Sequence, residues 1–229
     1  MSYFFLKRNL KKCCYWCSEE DKGTLSDDHL PPKSIFPKED RVGLQLITVK
    51  ICETCKMLYG RKGEDDNTFI RHMRLWASMS LGSGEFLKRF EECIKYSAKA
   101  QDLRIVEAEY LQVELSNGKI MEYPILKGSK EGILRVLDSI ARGFYYRMKG
   151  EFIPKDILPH YRLIPKDSYD PPINILTVMP RNVVKKGVFE FATNMYRSDS
   201  FRYLCWEFSF YNLWPLPIYY SYYMNSQST

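Results

Sequence analysis

Four cysteines in two Cys-x-x-Cys pairs carry the clearest chemical signal in this 229-residue sequence. Cys14 and Cys17 form the first pair, and Cys52 and Cys55 form the second. Cys13 is adjacent, but only Cys14 has the two-residue gap to Cys17. Paired thiolates at this spacing are typical ligands of zinc, and two pairs complete a tetrahedral four-cysteine site. Since four protein ligands close such a site, we expect a structural zinc ion that fastens two distant segments together.

The segment between the two pairs is longer than in zinc ribbons, where about 15–20 residues separate the pairs. It contains the dipeptide Asp28-His29, followed by Pro31, Pro32 and Lys33. A carboxylate can bind a divalent cation, and a histidine beside it can accept a proton near neutral pH. Two plainer interpretations stay open: one cysteine pair could be accidental, and the dipeptide could be an ordinary exposed strand end.

Alternating and β-branched residues predict that two strands present this dipeptide. Residues 24–30 are expected to form the first strand, with His29 near its end, and residues 44–51 the second strand, which leads into Cys52. The prolines between the strands exclude a regular helix there. Amphipathic spacing then predicts helices from about residue 64 to 76 and over residues 85–101.

Composition changes near residue 103, so we predict two parts, residues 1–103 and residues 104–229. In the second part, a hairpin is expected over residues 105–126, and a helix capped by Ser129 and ended by Gly150 follows it. The inner face of that helix is predicted to carry Ile133, Leu137, Ile140, Phe144 and Met148. Further strands are predicted over residues 175–179, 188–196 and 201–211. The expected fold class is therefore α+β with antiparallel strands, and the second part would serve targeting or partner contact.

The charge and composition limit the classes of function. The chain carries 34 basic and 28 acidic residues, a net charge of +6, which tolerates a nucleic-acid partner without demanding one. No signal peptide and no membrane span is recognisable, so we expect a cytoplasmic protein with reduced thiols and no membrane partner. Walker and Rossmann glycine patterns are missing from the sequence. Any nucleotide-driven activity would therefore come from a partner protein, such as an ATPase subunit.

The motifs CYWC, DDHLPPKSIF, LITVKICETC and GEDDNTF, within residues 12–75, resemble the HNH endonuclease family, also called the His-Me finger or ββα-metal family. The match is to a zinc-stapled subgroup with Cys-x-x-Cys pairs on both sides of an acid-histidine dipeptide. This resemblance implies an N-terminal ββα-metal finger with a structural zinc held by the four cysteines. It also implies hydrolysis of phosphodiester bonds in nucleic acid, DNA first of all, and a role in antiviral defence.

The same resemblance implies roles for individual residues. His29 would be the general base that takes a proton from the attacking water. Asp28 would bind a catalytic Mg²⁺ or Mn²⁺ ion at the scissile phosphate, separate from the zinc. Gln45 stands where the family has an asparagine, and its amide can still orient a histidine.

Lys56 is the larger departure, because the family has a histidine or asparagine there. A protonated lysine cannot bind a divalent cation. Either Asp65 or Asp66 supplies that ligand, or Lys56 holds the phosphate directly, or the site is impaired. The alternative hypothesis is therefore a catalytically impaired, zinc-stabilised module that binds nucleic acid or protein, as a subunit of a defence complex would.

Overall fold

The structure is a computed structural model that describes residues 10, 12–19, 25–36, 41–44, 46–58, 65–67, 69–70, 73, 109–114, 120–125, 130–163, 179, 181–186, 188–197, 201–210 and 218–225. The elements in chain order are β1 (Leu25–Leu30), β2 (Ile47–Cys52), α1 (Glu53–Leu58), β3 (Glu109–Glu114), β4 (Ile120–Ile125), α2 (Lys130–Lys149), β5 (His160–Leu163), β6 (Asn182–Lys185), β7 (Phe189–Arg197), β8 (Phe201–Phe210) and β9 (Ile218–Asn225). All strand pairs are antiparallel, so the predicted α+β class with antiparallel sheets is confirmed.

The N-terminal hairpin consists of β1 and β2. Their register places Asp28 opposite Val49 and His29 opposite Thr48. Both strands were predicted, although β2 begins at Ile47 rather than at residue 44. A single 3-10 turn, Lys33–Ile35, follows the cis Leu30–Pro31 bond, and α1 follows β2 directly. The order strand, strand, short helix agrees with the first part of the predicted finger.

Helix α2 is the central helix of the described structure. It spans 20 residues, and its predicted inner face is buried at Ile133, Leu137, Ile140 and Phe144, whereas Met148 is half-buried. Gly150 ends the helix with a φ of 72°, and its N–H donates to the Tyr146 carbonyl at 2.7 Å. A Cβ on Gly143 would lie 1.8 Å from Leu30 Cδ1, so α2 packs directly against the end of β1. The helix thus supports the strand that carries the dipeptide.

The C-terminal sheet has five strands in the order β5-β9-β8-β7-β6. Its three central strands bury mainly aromatic side chains on one face, and Phe144 of α2 packs against Phe191 at a ring distance of 4.5 Å. β7 and β8 were predicted, but β5, β6 and β9 were not. Strands of four residues such as β5 and β6 give too short an alternation to stand out in a sequence.

One hydrophobic core joins the N-terminal hairpin, α2 and the C-terminal sheet. The predicted boundary between residues 103 and 104 lies outside the described residues and stays a prediction. Most of the helices expected at residues 64–76 and 85–101, most of the strand expected at 175–179, and Ser129 also lie outside them, although the described residues between 65 and 73 are helical. Within the described part of the chain, no helix is long and apolar enough to cross a membrane.

Candidate functional site

The four predicted cysteines meet at one point of the fold. The sulfur atoms of Cys14, Cys17, Cys52 and Cys55 all lie within 4.8 Å of one another. Cys17 Sγ and Cys52 Sγ are 3.8 Å apart, far beyond a disulfide bond of about 2.05 Å. A tetrahedral ion with metal–sulfur bonds of about 2.3 Å would separate its ligands by about 3.8 Å. The cluster can therefore hold a structural metal ion such as zinc.

The backbone around the cluster has hydrogen bonds suited to thiolate ligands. Ser18 donates its N–H to the Cys14 carbonyl at 3.0 Å and closes a turn around the first pair, which we call the knuckle (residues 14–18). The Cys55 N–H points at Cys52 Sγ at 3.4 Å. Burial opposes ionisation of Cys52, but this backbone hydrogen bond and the neighbouring thiols lower its pKa. Burial raises the pKa of Cys17 and of Cys55, so both thiols would need a compensating cation to bind as thiolates.

Asp28 is held by the knuckle. Tyr15 is 1% exposed, and its hydroxyl donates to Asp28 Oδ2 at 2.8 Å. Its backbone N–H donates to the Lys50 carbonyl of β2 at 2.9 Å. Tyr15 therefore contacts both strands of the hairpin, and it lies between two of the thiolate ligands in sequence. The carboxylate of Asp28 is half-buried and oriented by this contact.

His29 follows Asp28 in β1 and is half-buried. Successive side chains of a strand leave on opposite faces, so Asp28 shares a face with Val49, and His29 shares the other face with Thr48. Asp27, on the His29 face, forms an ion pair with Lys50 at 2.7 Å. The two predicted functional side chains are therefore neighbours along β1 rather than partners on one face. A group that contacts both must approach along an edge of the strand.

The other predicted site residues have separate surroundings. Lys56 lies on α1, is exposed, and is 4.0 Å from Glu53. Asp65 is buried, and its two carboxylate oxygens accept hydrogen bonds from Arg135 of α2 at 2.7 and 2.8 Å. Asp66 is half-buried in the same helical stretch. Gln45 lies outside the described residues. The structure thus places Asp65 where it anchors its helical stretch to α2.

A buried arginine next to the knuckle was not predicted from the sequence. Arg142 of α2 is 2% exposed and lies 4.5 Å from the Trp16 ring. It donates to both carboxylate oxygens of Asp138 at 3.1 Å. Tyr220 and Tyr222 of β9 donate their hydroxyls to the same carboxylate. The sequence signal was the i, i+4 spacing of Asp138 and Arg142, which is equally typical of a surface ion pair.

This ionic cluster has perturbed acid–base properties. Burial raises the pKa of Tyr220 and of Tyr222 well above the ordinary value, and the nearby Asp138 carboxylate adds to the effect. Burial alone would lower the pKa of Arg142, but the facing Tyr222 and Asp138 outweigh it and raise that pKa. The arginine therefore stays charged, and both phenols stay neutral donors. The cluster links the knuckle, α2 and β9 electrostatically.

Comparisons with known proteins add no assignment. No protein-family model matches the chain, and no significant match was found among curated proteins or solved structures. The function must therefore be argued from the site itself.

Proposed function

We propose that this protein is a metal-dependent endonuclease that hydrolyses phosphodiester bonds of nucleic acid, with DNA as the first substrate to test. The observation that carries the proposal is the hydrogen bond from Tyr15 to Asp28, directly beside His29. A carboxylate that binds a divalent cation usually accepts such a hydrogen bond, which orients it and tunes its affinity. The phenol hydrogen-bonded to Asp28 supports this role.

His29 is the proposed general base. Its imidazole would accept the proton of the water that attacks phosphorus, and a histidine is suited to this near neutral pH because its ordinary pKa is about 6.5. Because His29 and Asp28 leave β1 on opposite faces, the phosphodiester would lie across an edge of the strand. Among the described strands, β1 pairs with β2 alone, so its other edge has no strand beside it.

Asp28 is the proposed ligand of the catalytic cation. When bound, Mg²⁺ or Mn²⁺ would supply Lewis-acid stabilisation of charge on the phosphate oxygens. Asp66 is a candidate second carboxylate. We leave Asp65 out of the proposed ligand set, because both of its oxygens already accept hydrogen bonds from Arg135. The thiolate cluster is proposed to hold zinc, which would fasten the knuckle to the start of α1.

The test is cleavage of supercoiled plasmid by the purified protein with Mg²⁺ or Mn²⁺. We expect His29→Ala to reduce the cleavage rate at least about 100-fold, the lower end of the contribution of a general base. Asp28→Ala should reduce it similarly and weaken the dependence on the divalent cation. Both variants should keep their zinc, since neither residue is a cysteine ligand.

The matched control is His160→Ala. His160 is an exposed histidine at the start of β5, on the C-terminal sheet. Its removal should leave cleavage unchanged. A loss of cleavage in His29→Ala but not in His160→Ala would then be specific to His29, and it would show that the activity does not come from a contaminating nuclease. Equal cleavage by wild type and His29→Ala, or no cleavage of DNA or RNA by any form, would refute the proposal.

A second candidate function is a zinc-stabilised binding module without catalysis. Lys56 favours it, since this exposed residue of α1 carries a cation where the resembled family has a metal ligand. A cation on an exposed helix can contact a phosphate without cleaving it. This candidate predicts that the protein binds nucleic acid and that Lys56→Ala weakens the binding. It also predicts that the protein cleaves no nucleic acid with any divalent cation tested. Metal-dependent cleavage that vanishes in His29→Ala would exclude it.

A further inference from the structure

The contact between the knuckle and the hairpin suggests that the two metal centres are not independent. Tyr15 lies between Cys14 and Cys17 in sequence, so a metal ion on the thiolates would fix its backbone. The same residue donates its hydroxyl to Asp28 Oδ2 at 2.8 Å. With a side chain that is 1% exposed, it has little freedom to move away. The buried Tyr15 side chain thus links the thiolate cluster to the Asp28 carboxylate.

We propose that Tyr15 is a positioning residue that sets the Asp28 carboxylate for cation binding and couples it to the thiolate cluster. This inference rests on the proposed function and extends it, because it assigns a functional role to a residue of the zinc-binding turn. Loss of a hydrogen bond to a ligating carboxylate typically weakens metal affinity or activity about 10- to 100-fold. Tyr15 would therefore act through Asp28, without contact to the substrate.

Tyr15→Phe tests the hydroxyl alone, since it keeps the buried ring. We expect Mn²⁺ affinity, measured by calorimetry on the zinc-loaded protein, to fall at least about 10-fold. Zinc content should stay at the wild-type level. Tyr146→Phe is the matched control, because Tyr146 is also buried and its hydroxyl contacts Cys13 Sγ at 3.2 Å, next to the same knuckle. Its Mn²⁺ affinity should equal that of the wild type.

The Asp28→Ala background shows whether Tyr15 acts through the carboxylate. If it does, adding Tyr15→Phe to Asp28→Ala should change neither Mn²⁺ binding nor the residual cleavage rate, since the two effects belong to one interaction. A further loss of the same size as in the wild-type background would overturn the inference. So would a Tyr15→Phe protein whose Mn²⁺ affinity equals that of the Tyr146→Phe control.

A readout free of catalysis separates this inference from the proposed function. The carbon-13 chemical shift of the Asp28 carboxyl group, measured on zinc-loaded protein without Mn²⁺, should change in Tyr15→Phe and stay constant in Tyr146→Phe. A constant shift in both variants would overturn the positioning role even if the wild type cleaves DNA. If the wild type neither binds Mn²⁺ nor cleaves nucleic acid, the proposed endonuclease activity is refuted, and so is the proposal that the contact between Tyr15 and Asp28 serves cation binding.

Discussion

Replacing Arg142 by methionine should destabilise the protein strongly. The guanidinium is 2% exposed and donates to Asp138 and to the carbonyls of Ile153, Pro154 and Ile157, at 2.7 to 3.1 Å. Methionine fills much of the same volume but donates no hydrogen bond. The substitution therefore leaves a carboxylate without its cation and removes the Arg142 donor from the Ile153 and Ile157 carbonyls, whereas the Pro154 carbonyl still accepts from the Ile157 N–H at 3.2 Å.

The size of the effect follows from which groups lose a partner. Removing one member of a buried ion pair typically costs about 3–5 kcal/mol, because the other charge stays buried and uncompensated. Asp138 keeps the hydroxyls of Tyr220 and Tyr222, which reduces the cost. The buried Ile153 carbonyl adds to it, since an unsatisfied buried group costs about 1–3 kcal/mol. We expect a net loss of about 3–5 kcal/mol in the free energy of unfolding.

Urea unfolding followed by tryptophan fluorescence measures this loss, and thermal unfolding should show a melting temperature about 6–20 °C lower. Lys50→Met is the control, because Lys50 pairs with Asp27 at the surface, where such a pair contributes less than about 1 kcal/mol. A loss below about 1 kcal/mol in Arg142→Met would refute the conclusion that this cation links the knuckle, α2 and β9. Arg142→Lys should recover only part of the stability, because an ammonium cannot reproduce the planar fork of donors.

Two other predictions concern the cysteine cluster and alkaline pH. Cys14→Ser or Cys52→Ser should abolish stoichiometric zinc binding and destabilise the N-terminal hairpin, because metal binding there contributes folding energy. Metal analysis measures the zinc content. Unchanged zinc content in both variants would contradict the assignment of four cysteine ligands. Burial and the nearby Asp138 raise the pKa of Tyr222 in the folded state, whereas an unfolded tyrosine ionises near pH 10. Its contribution to stability is therefore complete below about pH 10 and is lost as the pH rises toward the folded pKa. Between pH 9 and 11 the unfolding free energy of Tyr222→Phe should fall by about 1.4 kcal/mol less in total than that of the wild type, and an equal fall in both proteins would count against the buried neutral phenol.

Local periodicity was sufficient to predict the elements that lie nearest the candidate site. Alternation in β2 and the 3.6-residue spacing in α2 predicted both, because each has one face in the core. The cysteine cluster followed from spacing alone, since two residues between thiolates fit one tight turn. β9 was missed although Tyr220, Tyr222 and Met224 alternate with more exposed residues, since nearby prolines and the density of tyrosines obscured that pattern.

The contacts that define the site could not be predicted in the same way. Tyr15 and Asp28 are 13 positions apart in sequence. Whether they meet depends on how the knuckle packs on the hairpin. Burial of Arg142 depends on β9, whose Tyr222 lies far along the chain from α2. A pattern within one element says which side faces the core, but it carries no information on which polar group of another element will be found there.

Cys13 and two residues of the knuckle, Tyr15 and Trp16, contact two different elements, α2 and β1. Cys13 Sγ contacts the hydroxyl of Tyr146 at 3.2 Å, Tyr15 donates to Asp28, and Trp16 lies on the Arg142 guanidinium. The knuckle, whose thiolates could hold a metal ion, therefore lies against both α2 and β1. Loss of a metal ion bound by this cluster would loosen the turn that makes these contacts, whereas loss of Arg142 would remove only one of them. Hence a metal ion bound there should contribute more to the geometry of the candidate site than any single buried ion pair does.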